Sequence, residues 1–412
     1  MELFGGVIPI TGLAFVMFCV FAILAVGFLI GRITIKGISL GSAGVFIAAL
    51  LFGCFFYSNF ESGLGETYSA KSTLKIIENL GLILFVTSVG FIAGPKFFSN
   101  MKKNFKSYVM LGLIIIISGG LTAVGCILFG RTIGGETDLP RFTAMVTGLL
   151  SGALTSTPAF SAAKETVGSE LESIVSVGNG IAYIFGVIGV VLFVQLIPKL
   201  TKANMEVERA KLISSSDDGK KKDIANLLTI DSYGIGAFPL AAILGVFIGA
   251  IKIPLTAKGL SGTTFALTTT GGCLLASLVF GHFGRIGKMS IMPPTATLKV
   301  FRELGLVLFL TGAGVAGGAE FIENFKPVYF VYGAIITLVP MIIGFLFAKY
   351  VLKLSLLNSL GSITGGMTST PALGTLINVS GTEDVAAAYA ATYPIALITV
   401  VLVAQFIVIL FG

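Results

Sequence analysis

Of 412 residues, 55% are hydrophobic and 11% charged, a balance that excludes an ordinary soluble enzyme and indicates an integral membrane protein. The 27 lysines and arginines exceed the 20 acidic residues, giving a formal charge of +7. Because these basic residues are spread over short loops, positive-inside bias accounts for them and no nucleic-acid partner is expected.

The start, MELFGGVIPI, lacks a basic n-region, so no cleaved signal peptide is expected and the first helix should stay. Apolar runs near 10–31, 38–57, 79–95, 107–130, 142–163 and 174–197 predict helices in the first half. A charged linker follows. Runs near 229–251, 264–281, 303–319, 327–348, 355–378 and 384–411 echo the first set. Their length suits crossing about 30 Å of hydrocarbon as helices, and strand-period alternation is missing, so a β-barrel is not expected.

The echo extends to residues. Gly148–Ala159 (GLLSGALTSTPA) returns as Gly361–Ala372 (GSITGGMTSTPA), LGLILFVTSVGFIAG from Leu80 aligns with LGLVLFLTGAGVAGG from Leu304, and Tyr183 and Gln195 match Tyr393 and Gln405. The chain reads as a duplication: residues 1–200 as one membrane repeat, 201–228 as a charged cytoplasmic linker and 229–412 as a second repeat. If each Thr-Ser-Thr-Pro segment dips into the membrane and returns, loops near 32–38, 96–106, 199–223, 285–302 and 349–353 share one side and carry 19 of the 27 basic residues. That places Lys220, Lys221 and Lys222 inside. Five crossings plus one hairpin is an odd number of crossings, which makes the second repeat an inverted copy of the first. A broken helix that crosses the membrane at each motif is the alternative.

The motif carries the chemistry. Pro158 and Pro371 suit a first helical position, with Thr157 and Thr370 as the expected N-caps, so a half-helix begins at membrane depth with its amides and positive dipole end facing a cavity. The hydroxyls of Thr155, Ser156, Thr157, Thr368, Ser369 and Thr370 can hold a carboxylate or strip water from sodium. Gly148, Gly152, Gly361, Gly365 and Gly366 allow close backbone approach. Asn179, Tyr183, Gln195, Tyr389, Tyr393 and Gln405 are polar positions of the sixth and twelfth helices, open to substrate contact or to packing hydrogen bonds. The predicted substrate site is Gly152, Thr155, Ser156, Thr157, Pro158, Gly365, Thr368, Ser369, Thr370 and Pro371 with Asn179, Tyr183 and Tyr393.

Other features read as structural. Gly90 with Gly94, and Gly314 with Gly318, have a helix-packing spacing. Lys96, Lys164 and Glu320 are expected to snorkel to an interface, and no Asp or Glu is placed mid-span. Cys19, Cys54, Cys126 and Cys273 lie singly, supporting neither a disulfide frame nor a zinc site. His282 is a lone loop histidine, and GHFGRIGKMS departs from a phosphate loop at Met289. No metal site, cofactor or catalytic group is expected; sodium is the one ion the turns suit.

With these segments the chain resembles the aspartate:alanine exchanger family of bacterial secondary transporters, across both halves. The resemblance implies exchange of small carboxylates or acidic amino acids, of the aspartate, alanine, glutamate or succinate type. It also implies alternating access by a moving domain in a bacterial inner membrane, compatible with a homodimer. Sodium- or proton-coupled symport of an organic anion is the alternative. Where family members carry two soluble regulatory domains between the halves, this sequence has a short linker.

Overall fold

The computed structural model describes residues 2–3, 8–35, 38–39, 41–65, 68–103, 105–212, 228–229, 231, 233–254, 264–382 and 384–412. Lys220, Lys221 and Lys222 of the linker, and the side chains of Lys96, Thr370 and Pro371, lie outside the described residues.

The protein is an all-α membrane protein. Its helices are α1 (Gly12–Gly31), α2 (Ala43–Leu64), α3 (Ala70–Lys103), α4 (Met110–Thr132), α5 (Leu139–Ala153), α6 (Thr157–Thr166), α7 (Glu172–Leu200) and α8 (Met205–Ala210). After the linker come α9 (Ala237–Ala250), α10 (Thr268–Phe283), α11 (Thr295–Asn324), α12 (Val328–Leu346), α13 (Leu356–Gly366), α14 (Thr370–Ser380) and α15 (Val385–Phe411). Among the described residues, eight helices are long and apolar enough to cross a membrane: α1 to α4, α7, α11, α12 and α15. Among the described residues strand pairing is confined to two-residue strands, such as Ile253–Pro254 against Thr264–Phe265.

Two boundaries differ from the apolar runs for one reason. α3 starts at Ala70 rather than near 79, and α11 at Thr295 rather than near 303. Both extensions carry charges that a hydropathy reading discards. In α3 these are Lys75 and Glu78, which are neutralised by ion pairs within the fold. The expectation that no Glu lies within a span therefore fails at Glu78, which is 4% exposed.

The helices pack in two groups, each drawn from both halves: α1 to α3 with α9 to α11, and α4 to α7 with α12 to α15. The groups meet where α7 lies on α11, α6 on α10 and α3 on α15. Within the first group one tight crossing joins corresponding residues of the two similar segments. A Cβ on Gly81 would sit 2.7 Å from the Gly305 carbonyl, and one on Gly305 would sit 2.6 Å from the Gly81 carbonyl. Gly94 meets Gly281 of α10 and Gly318 meets Gly53 of α2, each at 2.8 Å from the other's Cα for an added Cβ, so the four-residue glycine spacings are packing devices.

Such backbone contact leaves no room for a side chain. Gly305→Leu is expected to lower the thermal midpoint by about 5 °C or more, since overpacking costs about 1–3 kcal/mol or more. Gly125→Ala on α4, where an added Cβ meets nothing within 4 Å, should leave it unchanged. Melting of both variants in detergent, followed by tryptophan-independent light scattering or cysteine-reactive dye, checks the contrast.

Candidate functional site

α5 and α13 are 15 and 11 residues long, about 22 and 16 Å at 1.5 Å per residue, too short to cross about 30 Å of hydrocarbon. Their neighbours reveal the chain's course. An added Cβ on Gly148 would meet Val175 and Asn179 of α7, and one on Gly152 would meet Asn179 and Tyr183, so contacts advance together and α5 runs parallel to α7. α6 and the loop to Glu172 must therefore carry the chain back to where α5 began. Gly361 faces Val385 and Ala388 of α15, and Gly365 faces Tyr389 and Thr392, so α13 and α14 likewise form a hairpin. Thr143 near the start of α5 donates its hydroxyl to the carbonyl of Phe411 at the far end of α15. The two hairpins thus enter the bundle from opposite ends.

Their tips meet. The Thr155 hydroxyl donates to the Met367 carbonyl at 2.9 Å, and the Thr368 hydroxyl donates to the Leu154 carbonyl at 2.9 Å. Both threonines hold φ = +50°, a left-handed conformation that a β-branched residue rarely adopts and that costs about 1–3 kcal/mol. The backbone closes the turns identically: Ser156 N–H donates to Ser151 C=O and Ser369 N–H to Thr364 C=O. Strain at each tip is thereby matched by a cross-tip bond in a site where water does not compete.

The N-caps shift by one residue from expectation. Ser156 and Ser369, not Thr157 and Thr370, precede the half-helices with extended backbone, because the left-handed threonine before each serine already completes the turn. The serines then diverge. Ser156 Oγ accepts from Ala159 N–H at 3.3 Å, whereas Ser369 Oγ is fully buried and has no partner among the described residues. Thr155, Ser156, Thr368, Ser369 and Pro158 are all buried, and Thr157 is half-buried.

The remaining expected residues flank the tips. Asn179 accepts from the Ser151 hydroxyl at 3.0 Å, tying α7 to α5. Tyr183 lies against Gly152, and Tyr393 stacks on Tyr389 with centroids 5.0 Å apart. Gln195 lies apart, on a surface cleft beside Lys199 and Lys202. Gln405 of α15 reaches the start of α10, donating to the Ala266 carbonyl at 3.1 Å. Gly186, which sequence reasoning passed over, packs against the Gly152 carbonyl and the Thr155 methyl.

Lys164 corrects a second expectation. Instead of snorkelling it is 1% exposed, with Nζ 2.8 and 2.9 Å from the two Glu78 oxygens and 5.7 Å from the Phe160 ring. Lys75 bridges Glu78 and Glu172 beside it. A lysine this far down α6 faces the other helix group, so no interface is within reach and a carboxylate on α3 supplies the counter-charge. Glu320 is half-buried, with one oxygen 3.9 Å from Arg141.

With this geometry the relatives can be weighed. The family described as a predicted permease membrane region matches residues 19–199 and 237–409. The chain belongs to the aspartate:alanine exchanger family. Relatives include an uncharacterized transporter of Bacteroides fragilis, 28% identical over 548 aligned positions covering 95% of this chain and 97% of that protein. Another is an uncharacterized transporter of Desulfotalea psychrophila, 25% identical over 552 positions covering 95% and 96%. Since 95% of 412 residues is about 391, about 157 of the 548 positions have no counterpart here. The family match breaks between 199 and 237, where this member has its short linker.

Lys164→Met should leave Glu78 with Lys75 as its one remaining counter-charge and destabilise by up to about 3–5 kcal/mol, whereas the double replacement Glu78→Leu/Lys164→Met should recover most of that loss. A double-mutant cycle on thermal midpoints reads the coupling. At the tips, Thr155→Asn, which tolerates left-handed backbone, should melt above Thr155→Val, which keeps the strain and loses the bond; equal midpoints would contradict the cross-tip role.

Proposed function

We propose that this protein is a secondary transporter that exchanges small carboxylates or acidic amino acids across a bacterial inner membrane, with the paired hairpin tips as its substrate site. The observation that carries the reading is the junction of two half-helix starts inside the bundle, with the buried Ser369 hydroxyl beside one of them having no partner among the described residues. A half-helix N-terminus attracts negative charge, and a buried hydroxyl without a partner calls for a ligand oxygen. Thr157, Thr370, Ser156 and Ser369 would supply donors, while Thr155 and Thr368 hold the tips together.

The two halves are taken as inverted-topology repeats. What supports this is the opposed entry of the hairpins and the contact of corresponding residues at Gly81 with Gly305 and Thr155 with Thr368. Access would alternate as the hairpin group, α4 to α7 with α12 to α15, slides against α1 to α3 with α9 to α11. Arg32, Lys199 and Lys202, Arg285 and Lys288, and Lys349 and Lys353 sit at ends that alternation brings to one side, and the positive-inside rule makes that side cytoplasmic.

In proteoliposomes loaded with a carboxylate, external labelled carboxylate should accumulate only when substrate is also present inside. Thr157→Val with Thr370→Val, and separately Ser369→Ala, should cut that counterflow at least about tenfold, the loss expected for removing buried hydrogen bonds to a charged ligand, with unchanged melting. Undiminished counterflow in well-folded variants would reject the tips as the site.

A further inference from the structure

The charged linker begins with an ordered helix that reaches the second hairpin. α7 ends at Leu200 and the chain turns sharply, with Ala203 N–H donating to the Pro198 carbonyl and Lys202 at φ = +49°. Asn204 then caps α8, its side-chain oxygen accepting from Glu206 N–H at 2.9 Å and from Val207 N–H at 3.4 Å. α8 lies against the mouth of the second hairpin, the end opposite its tip, where α13 begins and α14 finishes.

Two consecutive residues take hold of the two arms. Glu208 Oε2 accepts at 2.8 Å from the N–H of Leu356, the first residue of α13. Arg209 Nε donates to the carbonyl of Ser380, the last residue of α14, and an added Cβ on Gly381 would sit 3.1 Å from the same guanidinium. An anion thus stands at the positive end of one helix dipole and a cation at the negative end of its neighbour, the charge that each end favours. Met205 and Leu212, before and after these charges in the chain, pack against the cluster that holds Leu357, Leu360 and Leu376. The pattern fits the arms only while they lie side by side.

The first hairpin is held differently. Arg141 of its entering arm donates from Nε to Asn324 Oδ1 of α11 at 3.0 Å, and Lys164 ties its returning arm to Glu78 of α3. Both partners belong to the other helix group, whereas α8 belongs to the chain between the halves. The hold of α8 is also local: a cleft of about 510 Å³ opens around the end of α7, walled by Met205 of α8 and Val379 of α14. α8 therefore touches the hairpin at its mouth without being packed against it on every side.

We propose that α8 is a strap that ties the two arms of the second hairpin together, so that the linker sets how readily this hairpin opens while the opposite helix group holds the first. Glu208 and Arg209 are its two hooks and act as one unit, so releasing either frees both arms. The proposal goes beyond the substrate site and does not require that the tips bind a carboxylate.

The test is hydrogen exchange of the purified full chain in detergent, read by mass spectrometry on peptides from the first turn of α13, the last turn of α14 and the first hairpin. In Glu208→Ala the amides of both arms should exchange at least about fivefold faster, and Arg209→Ala should reproduce the same pair of changes, with the first hairpin unaltered. Two independent helix caps would respond separately, with α13 alone loosened in Glu208→Ala and α14 alone in Arg209→Ala. That separated response, no change in either variant, or an equal rise in the first hairpin overturns the strap. Should Glu208→Ala not fold, Arg209→Ala alone decides, by whether α13 loosens. Because carboxylate counterflow plays no part in this readout, failure here leaves the tip assignment standing, and failure there leaves this one.

Discussion

The arrangement depends on two hydroxyl-to-carbonyl bonds in the middle of an apolar bundle. Each hairpin must turn where solvent is absent, and a turn there exposes backbone carbonyls that helices would otherwise consume. Thr155 and Thr368 answer this reciprocally, each donating to the carbonyl that precedes its counterpart. Neither tip is self-sufficient: the bond that satisfies Leu154 comes from the second half, and the bond that satisfies Met367 comes from the first. The remaining packing, with α5 against α7 and α13 against α15 through glycine faces, brings the tips close enough for that exchange.

Around this junction, charge is distributed unevenly. Lys164, Glu78, Lys75 and Glu172 form a compact network that joins α6 and α7 to α3. Its members balance one another, which is how four charges persist among apolar helices. Among the described residues the corresponding hairpin has no such network: Ile377 stands at the position of Lys164 in the recurring motif and packs among Leu357, Leu360 and Leu376. The motif recurs in both hairpins, and the charge sits on one of them.

Much of this was legible in the amino-acid order. The Thr-Ser-Thr-Pro motifs lie at the hairpin turns, and the glycines spaced by four and the correspondence of Leu80 with Leu304 fall at tight helix crossings. Hydropathy misplaced the start of α3, because Lys75 and Glu78 look like loop residues until their partners on α6 and α7 are known. For the same reason Lys164 read as a snorkelling residue: its counter-charge lies 86 residues earlier in the chain. The one-residue shift of the N-caps had a local cause that spacing does not reveal, since only the left-handed backbone at Thr155 and Thr368 shows that the turn is complete before each serine.

The substitution of isoleucine for lysine at 377 has a thermodynamic sequel. A duplicated machine with identical halves, alternating between two mirror-related postures, would divide its time equally between them. Among the described residues the electrostatic clasp belongs to one hairpin alone, so in the proposed exchange the two postures would differ in free energy. Under that proposal the asymmetry of a single side chain would become an asymmetry of rates between the two directions.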